Sequence, residues 1–160
     1  MNRGGGYLEM RLNAKRILVP VNGDAVSERS FRWACQAARE AKAELHAVHV
    51  IEVPLDLPLE AEITEDINRG EEILARIEAI GAQEKCKGVQ AKFMRARRAG
   101  PAIVLETEDR NMDLIIMGIP YRRRFGSCDM GSTAGYVFHN AACQVIFWRE
   151  SAIPHPLPKD

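Results

Sequence analysis

Short apolar runs alternate along this chain with longer segments in which apolar residues recur at helical spacing, a pattern that predicts repeated strand–helix units. RILVPV (Arg16 to Val21) reads as a first buried strand, charged where it begins and closed by the turn-forming Asn-Gly-Asp at 22–24. Ser27 then stands at an N-cap position, opening a helix to about Lys42 whose inner face carries Phe31, Ala34, Cys35 and Ala38. LHAVHVI (Leu45 to Ile51) is a second strand. Pro54 and Pro58 break the chain after it, ahead of an amphipathic stretch from about Ala61 to Ile80 with Ile63, Ile67, Leu74 and Ile77 on its inner stripe.

Gly81 and Gly88 bracket a charged connection into VQAKFMRA, which alternates as a third strand does, and Pro101 opens a helix to about Asp109. DLIIMG (Asp113 to Gly118) packs four apolar residues in a row before a glycine, as expected of a central parallel strand covered on both faces. The loop IPYRRRFGSCDM leads to Gly131-Ser132-Thr133, a helix from about Thr133 to Asn140, and a last strand QVIFW (Gln144 to Trp148). This order predicts an α/β fold with a doubly wound, mostly parallel five-stranded sheet between helical layers, Rossmann-like, with strand order 3-2-1-4-5 and the first four strands parallel. Residues 1–15 are expected to form a flexible N-terminal segment, 16–150 one domain, and 151–160, with Pro154, Pro156 and Pro158, an irregular tail.

A length of 160 residues suits one domain, and the 22 basic residues balance 22 acidic ones. No broad field therefore draws the protein to nucleic acid or to a membrane surface. No apolar run approaches a membrane span and the N-terminus lacks a signal-peptide pattern, so the expectation is a cytoplasmic protein without membrane insertion. Cys35, Cys86, Cys128 and Cys143 form no C-x-x-C pair and have no histidine at zinc-finger spacing. Cys35 and Cys143 lie in apolar segments and read as small hydrophobes in a reducing compartment.

In an open α/β sheet ligands bind beyond the carboxyl ends of the strands, where helix N-termini present unpaired N–H groups. Residues 20–24, 50–52 and 117–133 converge there. Gly131 lets backbone approach a ligand closely, Ser132 adds a hydroxyl and an N–H, and the helix that follows can receive a phosphate; a plain helix cap explains the same residues. Arg122, Arg123 and Arg124 form the densest positive run nearby, available to phosphate oxygens or to solvent. Asp129 is a candidate ligand for a divalent ion bridging phosphates. His49 and His139 sit in apolar surroundings that suit core or cap roles, and no Ser-His-Asp order or close acidic pair points to a hydrolase.

The segments ILVPVNG, LHAVHVIE, DLIIMG and GSTAGYVFHNAACQVIFW, in this order and spacing from Arg16 to about Arg149, resemble the universal stress protein family. ATP-binding members carry a glycine, two residues, a glycine, nine residues, then glycine followed by serine or threonine; Gly118, Tyr121, Gly131 and Ser132 occupy those four places. Tyr121 thus replaces a glycine that folds a loop tightly over the triphosphate, and Asn22 replaces an aspartate that contacts the nucleoside. The resemblance implies that Pro20, Asn22 and Val50 line an adenine and ribose pocket. Met117, Gly118, Tyr121, Gly131, Ser132 and Thr133 would continue it towards the phosphates, with Mg accompanying ATP. It implies a regulatory module in stress response that holds ATP or AMP and has little chemistry of its own. QVIFW, an exposed apolar edge strand, would pair with its counterpart in a homodimer. A rival keeps the fold without nucleotide affinity, with Tyr121 filling the phosphate-loop space and protein contacts carrying the function. A slow ATP hydrolase or nucleotidyl-transfer enzyme stands third, for want of a base or second metal ligand.

Overall fold

The structure, a computed structural model, describes residues 12–124 and 126–153, with only the backbone of Arg124. Its elements are β1 (Arg16–Pro20), α1 (Ala25–Ala41), β2 (Glu44–Glu52), α2 (Thr64–Gln83), β3 (Gln90–Ala96), α3 (Ala99–Asp109), β4 (Leu114–Ile119), β5 (Arg123–Arg124), β6 (Ser127–Cys128), α4 (Ser132–Asn140) and β7 (Gln144–Arg149). The main sheet runs β3-β2-β1-β4-β7, the expected order with β7 as the fifth strand. All four pairings are parallel, the one between β4 and β7 included, so the expectation of four parallel strands falls one short. The physical reason is α4, which carries the chain back along the sheet before β7 begins.

Side chains that alternate along each strand feed two cores. Ile17 and Val19 of β1 face one, where Phe31, Ala34, Cys35 and Ala38 of α1 meet Ile73, Ile77 and Ile80 of α2. Leu18 faces the other, with Ile103 and Val104 of α3 and Ala134 and Val137 of α4. Leu114, Ile115 and Ile116 of β4 are fully buried, as the unbroken apolar run requires of a strand covered on both sides. Each such side chain is worth about 1.5–3 kcal/mol in burial alone.

Several boundaries move, each for a local reason. The cap of α1 is Asp24, not Ser27: the Asp24 carboxylate accepts the Ser27 N–H at 2.7 Å, while Ser27 lies inside the first turn and is buried. In α3 the helix begins at Ala99 and Pro101 is its third residue, still within the first turn whose N–H groups have no helical partner. Gly81 lies within α2, where a Cβ would approach Val89 Cγ2 to 3.0 Å. Residues 12–15, expected to be part of a flexible segment, pack against the domain: Ala14 is buried and Leu12 lies against the same core. The rest of that segment, 1–11, and the tail from 154 onwards fall outside the described residues.

Candidate functional site

The chain reverses its direction of sheet growth between β1, which continues to β2 and β3, and β4, which continues to β7. Beyond the carboxyl ends of these strands lies a cavity of about 300 Å³, at the lower end of the roughly 300–1,000 Å³ typical of small-molecule sites. Pro20 and Asn22 reach it from the end of β1, Val50 from β2, Met117 and Gly118 from β4, and Gly131, Ser132 and Thr133 from the start of α4. Val50 and Met117 also pack into the core shared with α3 and α4, so they serve packing and lining together.

Three helix N-termini reach this cavity, and those of α1 and α4 differ. That of α1 is closed by its own residues: Asp24 caps Ser27, and the Asn22 side-chain oxygen accepts the Asp24 N–H at 3.0 Å. Asn22 is thereby committed to the turn through its oxygen, leaving its amide NH₂ as the group that can reach outwards. At α4 the cap is Gly131, which has no side chain to offer, and the first helical bond runs from the Gly135 N–H to the Gly131 carbonyl at 3.0 Å. The N–H groups of Ser132, Thr133 and Ala134 precede that bond, beside the cavity that these residues line. They carry the partial positive charge of the helix end.

Gly118 has a packing reason of its own. A Cβ there would lie 2.6 Å from Ser30 Oγ and 2.9 Å from the Val26 carbonyl oxygen, so β4 approaches α1 too closely for any side chain. Tyr121 is placed away from the cavity lining: the Arg149 guanidinium sits 5.2 Å from its ring centroid, and its N–H donates to the Glu150 carboxylate at 3.4 Å. It therefore does not fill the space over the α4 N-terminus.

Of the three arginines, Arg122 lines the cavity and is exposed. Arg123 and Arg124 form β5, which pairs antiparallel with β6 in a small hairpin that sequence reasoning read only as loop. The Arg123 guanidinium turns back to the Gly126 carbonyl at 3.4 Å, and Gly126 takes the positive φ of 81° that the tight connection demands. The Asp129 carboxylate accepts the Gly131 N–H at 3.1 Å, bracing the turn into α4. Among the described residues no group of three or more His, Cys, Asp or Glu is arranged to hold a metal ion.

The cavity also contains residues that the sequence reading does not assign individually to a site, among them Asp24, His49, Glu52, Ala99, Ile103 and Met130. His49 is buried, with Nδ1 2.9 Å from the Val21 carbonyl oxygen; a proton on Nδ1 donates there and leaves Nε2 as an acceptor. His139, by contrast, is exposed on α4 with Phe138 edge-on at 5.2 Å, not in the apolar surroundings its neighbours in sequence suggest. Glu52 and Asp24 fall in segments whose convergence is readable from sequence. Ala99 and Ile103 could have been found from topology, because α3 follows a parallel strand and its N-terminus must lie at the same sheet end.

Comparison with known proteins agrees with this architecture. A universal stress protein of Methanocaldococcus jannaschii is 29% identical over 138 residues, covering 82% of this chain and 80% of its own length. The solved structure of the universal stress protein from Archaeoglobus fulgidus in complex with dAMP superposes with a TM-score of 0.63 at 22% identity, covering 85% of this chain and 98% of that one. A universal stress protein family structure from Arabidopsis thaliana with AMP bound gives 0.61 at 16% identity, covering 90% and 97%. The sequence model of the universal stress protein family matches residues 13–149, nearly the whole described domain, and the chain belongs to that family.

Proposed function

We propose that this protein is a regulatory module that binds an adenine nucleotide, AMP or ATP, at the carboxyl ends of β1, β2 and β4, acting as a cytoplasmic homodimer in stress response. The observation that carries the reading is the cavity at the sheet reversal, with the leading N–H groups of α4 on one side of it. An apolar floor of Val50, Met117 and Ile103 suits a purine, and the α4 N-terminus with Arg122 suits phosphate oxygens. Relatives in complex with dAMP and AMP lend the same ligand class.

The site favours holding a nucleotide over transforming it. His49 is the only histidine among the cavity residues and its Nδ1 faces the Val21 carbonyl, while Asp24 is bound into the α1 cap. Neither is evidently placed to activate a water against a terminal phosphate. Mg, if it accompanies ATP, would have to find its ligands chiefly on the phosphates.

The second reading, a member of the fold that works through protein contacts alone, draws on the exposed Phe138, 61% accessible, and on the half-buried face of the edge strand β7. Denaturing the purified protein and identifying released nucleotide by mass spectrometry separates the two, with AMP and ATP titration to follow if none is released. An adenine nucleotide released at near one per chain, or saturable binding, supports the proposal. If no nucleotide is released and none binds, the proposal is overturned in favour of the second reading.

A further inference from the structure

Away from the cavity, two cysteines separated by fifty residues meet between α1 and the turn that follows α2. Cys35 is fully buried on the inner face of α1, and Cys86, 9% accessible, joins the same core cluster. The surrounding contacts bring these stretches together independently of the sulfurs. The Arg32 guanidinium donates to the Glu84 carboxylate at 2.8 Å, and Gln36 reaches its other oxygen at 3.4 Å, so residues on either side of Cys35 grip the residue two before Cys86. Both cysteines are free thiols.

Their exposures differ in a useful way. Cys86 lines a surface depression with Lys85, Lys87, Gly88 and Val89, while Cys35 lies behind it with no access of its own. Burial, and next the neighbouring Cys86, push the Cys35 thiol well above the usual range, so it stays protonated at neutral pH. The turn that carries Cys86 lies outside any helix or strand, and the N–H groups of Glu84, Lys85 and Cys86 donate back to the carbonyls of Ile80, Ala82 and Gly81 at 2.9, 3.1 and 2.9 Å, which holds Cys86 beside α1.

We propose that Cys86 and Cys35 form a reversible thiol–disulfide pair, in which Cys86 takes the oxidising equivalent from a hydroperoxide and Cys35 resolves it. In the first step the Cys86 thiolate attacks one peroxide oxygen; the O–O bond breaks, Cys86 becomes a sulfenic acid, and the other oxygen leaves as hydroxide and takes a proton to become water. In the second, the Cys35 sulfur attacks the Cys86 sulfur, the S–O bond breaks, and the departing hydroxide takes the Cys35 proton as a second water. Two thiols lose two electrons and two protons, and one hydrogen peroxide becomes two waters. A dithiol reductant reverses the reaction by exchange. The product would tie α1 to the turn ahead of β3.

The test uses the full-length protein, fully reduced and then treated with hydrogen peroxide at a small molar excess, alkylated, and mapped by peptide mass spectrometry. The expected result is a linked pair of peptides containing Cys35 and Cys86, a loss of about 2 Da relative to the reduced chain, alkylation of Cys128 and Cys143 only, and full reversal by dithiothreitol. With Cys35→Ala, Cys86 should accumulate as a sulfenic acid trapped by dimedone. Oxidation of Cys86 in the wild type without linkage to Cys35, preferential oxidation of Cys128 or Cys143, or no oxidation at all would each overturn the proposal.

Discussion

At Gly131 the backbone sits at φ 82° and ψ 163°, a region that glycine alone occupies without strain, while a Cβ there would meet nothing within 4 Å. Gly118 presents the opposite case, with ordinary backbone but no room. The two positions should therefore fail differently. Gly131→Ala is expected to lower stability by about 1–3 kcal/mol through strain. Gly118→Ala is expected to lower it by about 1–3 kcal/mol through overpacking, and Ser30→Ala should not rescue it, because the Val26 carbonyl remains in the way. Denaturant unfolding of the three variants measures both; rescue of Gly118→Ala by Ser30→Ala would contradict the packing account. The sequence pattern joins these glycines in one motif, yet the first is already required by α1. Tyr121 shows the same limit, since its identity is plain in sequence but its place beneath Arg149, at the end of β7, depends on a strand more than twenty residues away.

Asp113, just ahead of β4, joins that strand to the start of β1. Its carboxylate accepts the N–H groups of Lys15 at 2.7 Å and Arg16 at 2.9 Å, just where β1 and β4 begin to pair. These two hydrogen bonds hold its carboxyl below the usual carboxylate range. A folded pKa below the unfolded one gives stability that is present above the unfolded value, about 3.9 for aspartate, and is lost as pH falls through the lowered folded value. Asp113→Ala should therefore melt below the wild type at pH 7, with the gap closing as the pH is taken below about 4. A gap that persists undiminished at pH 2.5 would mean that the carboxylate charge is not what matters. The strands and helices themselves were legible because apolar periodicity reports which face of an element is covered. It does not report caps, which depend on one side chain reaching one N–H, and so Ser27 reads as well as Asp24. Nor does it show the β5–β6 hairpin, whose strands are two residues each and carry no period.

For the whole molecule, the strand order follows from right-handed crossovers and the buried run at β4, which leave few alternatives, whereas the meeting of distant residues such as Cys35 and Cys86 in one core is fixed only by the assembled fold. One edge of the sheet is β7, whose Val145, Ile146, Phe147 and Trp148 are half-buried, with the exposed Phe138 beside Phe147 at 6.2 Å between ring centroids. That apolar margin is the basis for proposing a homodimer through the last strand. Light scattering should give twice the chain mass at micromolar concentration and the chain mass for Phe138→Asp; a wild-type monomer would contradict the proposal. The central claim is that an adenine nucleotide occupies the cavity with its phosphate at the start of α4, and calorimetric titration of AMP into the wild type and Gly131→Val tests it most directly. The account predicts one AMP per chain for the wild type and affinity lower by at least about tenfold, or 1.4 kcal/mol, for a variant that circular dichroism shows to be folded. Equal affinity in the two proteins, or no binding by the wild type, would contradict it.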